Sequence, residues 1–196
     1  MSTTQPDLLG VDWSKIPAPE DDGGARHLTG TAVPDLALPA TTGGSVSLAR
    51  QEGVTVVFVY PRTGRPGAIA LVDDWDMIPG ARGCTPQSCA FRDLHADLTT
   101  AGVAQVFGLS TQDTAYQQEM AERLHLPFAV LSDAELKLTE ALSLPTMEVA
   151  GHALLKRMAL VIANGRILKV FYPVFPPDRN AADVLQWMKD NPGEGR

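Results

Sequence analysis

Gly53-Val54-Thr55-Val56-Val57-Phe58-Val59-Tyr60 is a continuous apolar, β-branched run bounded by glycine and Pro61. Without polar alternation, such a run is the pattern of a central strand buried on both faces. The next strongly patterned stretch on its C-terminal side is Gly83-Cys84-Thr85-Pro86-Gln87-Ser88-Cys89-Ala90-Phe91-Arg92-Asp93. It carries the signals of a helix start: Thr85 as a cap, Pro86 at a first helical position and Gln87 in the first turn. The helical pattern continues to about Thr100, with Phe91, Leu94 and Leu98 on one face.

Further along, Val103–Leu109 reads as a second buried strand, and Ser110 or Asp113 caps a helix from Thr114 to about Leu124. Leu126–Leu131 is predicted as a short strand and Ala134–Leu142 as a short helix. Leu154–Ile162 and Ile167–Tyr172 flank Asn164-Gly165, the signature of a β-hairpin. Asp178 or Asn180 opens a terminal helix to about Asp190. Upstream of the central run, Val33–Pro39 and Ser45–Leu48 are short strands around the turn Thr41-Thr42-Gly43-Gly44. Alternating β and α with a late antiparallel hairpin predicts an α/β fold, a mixed central sheet with helices on both faces. In such sheets active sites lie outside the carboxyl ends of strands. The cysteine helix follows the central strand, so Cys84 is expected at such an end.

Residues 1–30, rich in Pro, Gly and Asp, read as an N-terminal extension, flexible or surface-packed, with Trp13 and Ile16 able to pin it. Residues 31–191 form the domain and 192–196 a tail. The 196-residue chain is long enough for one domain with a sizeable core. A net charge of -7 argues against nucleic acid and anionic membrane surfaces as partners. No apolar run approaches the ~20 residues of a membrane span, and Met1–Gly10 lacks the regions of a signal peptide. A cytoplasmic protein is expected.

The chain has two cysteines, Cys84 and Cys89, too few for a secreted disulfide scaffold. His27, His95, His125 and His152 are at no ligand spacing from the cysteines or each other, so no metal or other cofactor is expected. A cysteine at a helix start faces unpaired backbone N–H groups and the positive end of the helix dipole. Both favour the thiolate, the reactive form. Cys84 is therefore read as a nucleophile and Cys89 as its internal partner. Lowering a thiol pKa to about 6 requires roughly 3 kcal/mol, and a helix terminus supplies up to ~2 kcal/mol. A further cation is expected, with Arg62, Arg65 and Arg82 the local candidates and Arg92 and Arg157 the distant ones. Cα atoms at i and i+5 of an α-helix lie about 8.7 Å apart, and a disulfide needs them within about 6.8 Å. The pair can bridge only if the helix unwinds. The competing reading is that both cysteines are ordinary core residues.

These pieces together resemble the peroxiredoxins, specifically the peroxiredoxin Q (bacterioferritin comigratory protein) branch. The residues that carry the resemblance are Pro34-Asp35-x-x-Leu38, Phe58-Val59-Tyr60-Pro61, Gly83-Cys84-Thr85-x-Gln87-x-Cys89-x-Phe91-Arg92-Asp93, Gly108-Leu109-Ser110-x-x-Asp113, Leu126-Pro127-Phe128, Leu131-Ser132-Asp133 and Arg157 before Leu160-Val161-Ile162. They run in order from about Thr31 to Trp187. The resemblance implies a thioredoxin-like fold and thiol-dependent reduction of hydrogen peroxide and organic hydroperoxides. It implies Cys84 as the peroxidatic thiolate, Cys89 as the residue that resolves its sulfenic acid to an intramolecular disulfide, and thioredoxin or a similar dithiol as reductant. Arg157 matches the arginine that stabilises the thiolate and orients the peroxide, and Gln87 a position that is usually Glu or Gln. The protein is expected to be a monomer or homodimer.

One departure concerns the hydroxyl that the family places three residues before the peroxidatic cysteine. That position is Ala81 here, and an insertion over about 65–78, carrying Trp75, Met77 and Ile78, separates Pro61 from the cysteine helix. Thr63 is one candidate for the missing hydroxyl, Thr85 a second, and no hydroxyl at all a third possibility. Two other functions fit the same residues: a redox sensor whose cysteine pair switches a binding surface, and a non-catalytic binding module.

Overall fold

A computed structural model describes residues 11–193. Residues 1–10 of the N-terminal extension and 194–196 of the tail lie outside the described residues. The central run forms β3 (Val54–Val59), in the middle of a five-stranded sheet. Parallel β4 (Val103–Ser110) and then β5 (Val130–Ser132) lie on one side of it. Antiparallel β8 (Met158–Ala163) and then β9 (Arg166–Phe171) lie on the other. All six residues of β3 are buried, as its unbroken apolar pattern requires. Strand alternation divides them between two cores. Val54, Val56 and Phe58, with Tyr60 beyond the strand, face α1 (Cys84–Asp93), α2 (His95–Thr100), α3 (Thr114–Arg123) and α5 (Asn180–Asp190). Val57 and Val59 face α4 (Lys137–Leu142) and the N-terminal segments. Each such side chain contributes about 1.5–3 kcal/mol through burial, so the sheet is anchored at β3. Helices therefore cover both faces, as expected.

Several elements differ from the sequence expectation. Leu154–Ile162 is not one strand. Its first part is β7 (His152–Leu155), paired with the unforeseen β6 (Thr146–Val149), and β8 starts only at Met158. The break falls at Lys156-Arg157, where the Lys156 N–H donates to the Pro145 carbonyl and the Arg157 side chain turns into the interior. The single helix predicted to Thr100 divides at Leu94, whose φ of -96° and ψ of 8° fall outside the α-helical region. The predicted strand at Leu126 begins only at Val130. The helix expected from Ala134 begins at Lys137, because the Asp133 carboxylate accepts from the N–H groups of Leu138 and Thr139. The first two strands shrink to β1 (Leu38–Pro39) and β2 (Ser45–Val46). Two local signals read correctly: Asp113 caps α3 by accepting from the Tyr116 N–H at 2.7 Å, and Asn164-Gly165 turns the hairpin with φ of 50° and 69°. The terminal helix opens at Asn180 and runs to Asp190, as expected, although no side chain caps it; Asp178 accepts from the Trp13 indole and Asn180 is buried.

Residues 11–30 pack against the body. Ala25 and Leu28 belong to the second core, and Asp22 accepts from Lys156 Nζ and from the Tyr172 hydroxyl. Those donors hold the Asp22 carboxyl well below the usual carboxylate range. Trp13 stacks edge-on against Phe175 and reaches the start of α1. That start is Gly83, with φ of 107° and no side-chain cap, so Thr85 does not cap as predicted but lies within the first turn. Only glycine fits there. A Cβ on Gly83 would stand 2.2 Å from Pro177 Cγ and 2.9 Å from Trp13 Cη2. Strain at positive φ and overpacking add, so Gly83→Ala is expected to cost about 3 kcal/mol, read as a lower urea midpoint at constant m. A loss below about 0.5 kcal/mol would contradict this packing.

Candidate active site

The sheet register assembles the site. Val59, last in β3, lies opposite Met158, first in β8, so Arg157 stands beside the carboxyl end of β3. The loop from Pro61 returns to the same end and delivers Cys84 as the first residue of α1. Pro86 has no N–H, and no side-chain oxygen caps the first turn, so the Cys84 and Thr85 N–H groups lack a capping acceptor. Positive potential is left facing the thiol.

Arg157, 3% exposed, spans the gap of 73 residues to Cys84, with Nη2 3.3 Å from Sγ. The same nitrogen lies 3.0–3.1 Å from the carbonyls of Gly80, Ala81 and Arg82. Two hydrogens cannot serve four acceptors at once, so the three carbonyls chiefly hold the guanidinium in place. Nη1 donates to Gln87 Oε1 at 2.5 Å, and Gln87 Nε2 donates to Asn180 Oδ1 at 2.9 Å. Gln87 thereby ties the arginine to the helix that bears Cys84 and to α5. The Cys84 thiol itself lies 3.7 Å from the Ala81 carbonyl, within donating reach. Arg157 Nε is buried without a partner among the described residues, which leaves one N–H donor of the guanidinium uncommitted.

The other arginines are engaged elsewhere. Arg82 pairs with Asp76, and Arg92 bonds Asp93 and the Leu124 carbonyl. The guanidiniums of Arg62 and Arg65 lie over the Tyr116 ring. Arg62 and Arg82 still border the Cys84 cavity, whose volume is about 270 Å³. Thr63 lines that cavity too. Its backbone N–H donates to Gln112 Oε1 at 2.8 Å and its carbonyl accepts from Gln112 Nε2 at 3.1 Å. Thr85 borders the same space. Cys89 lies in the middle of α1, buried, and both thiols are free. Burial pushes the Cys89 thiol up, and Asp93 adds to this, while Arg92 and Arg123 oppose it. It is therefore held as a thiol at neutral pH.

The structure thus gathers Cys84, Arg157 and Gln87 into one bonded cluster, with Thr63 and Thr85 on the cavity wall and Cys89 farther along the same helix. Asn180 and Gln112, which steady Gln87 and Thr63, were not foreseen. They act across 93 and 49 residues of sequence, respectively, and no local pattern marks such pairs. Among the described residues no cluster of His, Cys, Asp and Glu fits a metal ion, and no helix is long and apolar enough to cross a membrane.

The family model described as Redoxin matches residues 28–185. The chain belongs to the redoxin family. Its relatives place it on the peroxiredoxin Q branch, as the resemblance implied. It is 32% identical over 167 residues to "Peroxiredoxin Q, chloroplastic" of Arabidopsis thaliana, covering 84% of this chain and 68% of that protein. It is 29% identical over 158 residues to the Oryza sativa subsp. japonica protein of the same name, covering 80% and 64%. The chain therefore spans just under two thirds of the length of the rice relative. The crystal structure of peroxidoxin BcpB from Mycobacterium tuberculosis superposes with a TM-score of 0.66 at 26% identity, covering 84% of this chain and 98% of that one. The redoxin fold of this chain is accordingly the thioredoxin-like α/β fold of the peroxiredoxins.

Proposed function

We propose that this redoxin is a thiol-dependent peroxidase acting on hydrogen peroxide and organic hydroperoxides. The observation that carries the reading is the 3.3 Å approach of the buried Arg157 Nη2 to Cys84 Sγ, beside an open cavity at a helix N-terminus. In the proposed cycle the Cys84 thiolate attacks the terminal peroxide oxygen. The O–O bond breaks, the leaving alkoxide or hydroxide takes a proton, and Cys84 becomes a sulfenic acid. The Cys89 sulfur then attacks Cys84 Sγ, forming the disulfide and releasing water. An external dithiol of the thioredoxin kind restores both thiols and is itself oxidised to a disulfide.

Arg157 is assigned to the thiolate and to the O–O bond as charge moves onto the leaving oxygen, where fixed donors are worth most. Gln87 is assigned to positioning Arg157. Thr63 is the hydroxyl proposed to replace the one missing at Ala81, supported by its place on the cavity wall and its clamp to Gln112. The assembly is proposed as a monomer or homodimer with no resident cofactor. Two free thiols suit a reducing compartment. The cytoplasm is the proposed location, to be weighed by cell fractionation against the chloroplast that the plant relatives' names give for those proteins.

Adding one equivalent of peroxide to the reduced protein is expected to remove two hydrogens by intact mass, and adding thioredoxin with its reductase is expected to sustain turnover. A single stoichiometric oxidation without recycling would replace the enzyme by a redox sensor. An unchanged mass would defeat both readings.

A further inference from the structure

Residues 11–27 precede the range matched to the redoxin family, yet they reach the start of α1. Asp12 opens a single 3₁₀ turn, Trp13–Lys15, by accepting from the Ser14 N–H at 3.2 Å. The Trp13 indole N–H donates to Asp178 Oδ2 at 3.0 Å, and its ring meets Phe175 edge-on. Both anchors lie just before α5, so the indole is held from outside the cysteine helix. The same ring presses on Gly83, where a Cβ would stand 2.9 Å from Cη2. Val11 lines the Cys84 cavity together with Gly83, Thr85 and Pro86. Farther along, Pro19 approaches Gly80, where a Cβ would stand 3.6 Å from the proline ring. The Gly80 carbonyl is one of those that hold Arg157. The arm thus touches the segment 80–83 at both ends.

We infer that the segment 11–16, through Trp13, is a strap that holds Gly83 and the first turn of α1 wound, and so slows the opening that Cys89 needs. This rests on the peroxidase reading above. Trp13 touches no reacting atom. Its contact with Gly83 exists while the first turn is formed and is lost when that turn opens to close the disulfide, so it favours the wound form alone. Where the unwound form is the minor one, the observed rate of resolution scales with its population. The strap thereby sets how long the Cys84 sulfenic acid lasts. Two steps compete in that interval. Attack by the Cys89 sulfur expels water and forms the disulfide. Alternatively, the sulfenate sulfur takes the terminal oxygen of a second peroxide, whose O–O bond breaks to release alcohol or water, and a sulfinic acid remains. A tight strap favours the second step, after which the thiol pair no longer cycles.

The test separates the two steps by rapid quench, alkylation and intact mass, on the wild type, Trp13→Ala and Trp13→Phe. Trp13→Ala is expected to form the disulfide about tenfold faster, and to yield about tenfold less sulfinic acid per turnover at excess peroxide. Sulfenic acid formation, measured in the Cys89→Ser background, should change by less than about twofold. Trp13→Phe keeps an aromatic ring in place but loses the bond to Asp178, so it should fall between. Resolution within about twofold of the wild type in Trp13→Ala overturns the strap. An equal change in both steps does so too, since it marks a general loosening of the site. Should Trp13→Ala fail to fold, Asp178→Ala, which removes the indole acceptor, is read by the same criteria with an expected gain of about threefold. Hydrogen exchange of the reduced protein is followed in parallel. The amides of residues 84, 85, 87 and 88 should exchange about tenfold faster in Trp13→Ala while those of β3 are unchanged. If the wild type turned over no peroxide, the peroxidase reading would fall, and exchange would decide the strap: faster at α1 alone supports it, unchanged ends it.

Discussion

Cys84→Ser is expected to reduce peroxide-dependent oxidation of thioredoxin to the rate without protein, while Cys89→Ser still consumes one equivalent of peroxide and stops with one oxygen added. The asymmetry follows from where α1 puts the two sulfurs. Cys84 is the first residue of the helix, at the unsatisfied N–H groups and within 3.3 Å of Arg157. Cys89 is in the helix interior, with burial pushing its thiol up. It cannot reach Cys84 while the helix is formed, since i and i+5 Cα atoms are about 8.7 Å apart. Closing the disulfide therefore requires loss of the first turns. That breaks the Gln87 N–H bond to the Gly83 carbonyl, the Ser88 hydroxyl bond to the Cys84 carbonyl, and the Gln87 links to Arg157 and Asn180. At about 1 kcal/mol net for a neutral bond and somewhat more for one to a charged group, the cost is several kcal/mol. Oxidation should accordingly abolish amide hydrogen-exchange protection across residues 85–89. Full protection in a protein whose mass shows the disulfide would refute the unwinding, and residual turnover by Cys84→Ser would refute the nucleophile.

Arg157→Met is expected to lower kcat/KM for peroxide by about 10²–10³, the usual loss when one preorganised donor is removed from a developing charge in a dry site. Arg157→Lys should recover little of this. A lysine ammonium cannot hold Gln87 Oε1 and three backbone carbonyls in the fork geometry of a guanidinium while also facing Sγ. Removing Arg157 also strands buried acceptors, at a cost of about 1–3 kcal/mol each, so the folded fraction is measured alongside by near-UV circular dichroism. The role as catalyst predicts a fall in the single-turnover rate of sulfenic acid formation in the fully folded fraction. A fall of less than about tenfold there would leave Arg157 as a structural brace.

Much of the site was legible because its signals are local. Gly83, Cys84, Pro86 and Gln87 are neighbours in sequence, and a helix start imposes its own pattern over four or five residues. Even so, the cap was misassigned. Thr85 has the right side chain, but Gly83 takes the position because Trp13 and Pro177 leave no room for a Cβ. That crowding comes from residues far away in the chain. The same holds for the strand predicted over Leu154–Ile162: its apolar pattern runs through Lys156-Arg157, and only the buried tether of Arg157 to Cys84, beside the carboxyl end of β3, explains the break there.

The sequence by itself determined the buried central strand, the alternation of strands and helices around it, and a cysteine at a helix start. Each depends on periodicity, or on spacings fixed by backbone geometry over a few residues. Tertiary structure decided which of five arginines meets the thiol, how Thr63 reaches the cavity across the insertion, and that Asn180 and Gln112 brace the cluster. Those outcomes depend on sheet register and on contacts between segments tens of residues apart. One opposition, Val59 against Met158, puts Arg157 beside Cys84 and leaves the nearer arginines to pair with Asp76 or stack on Tyr116.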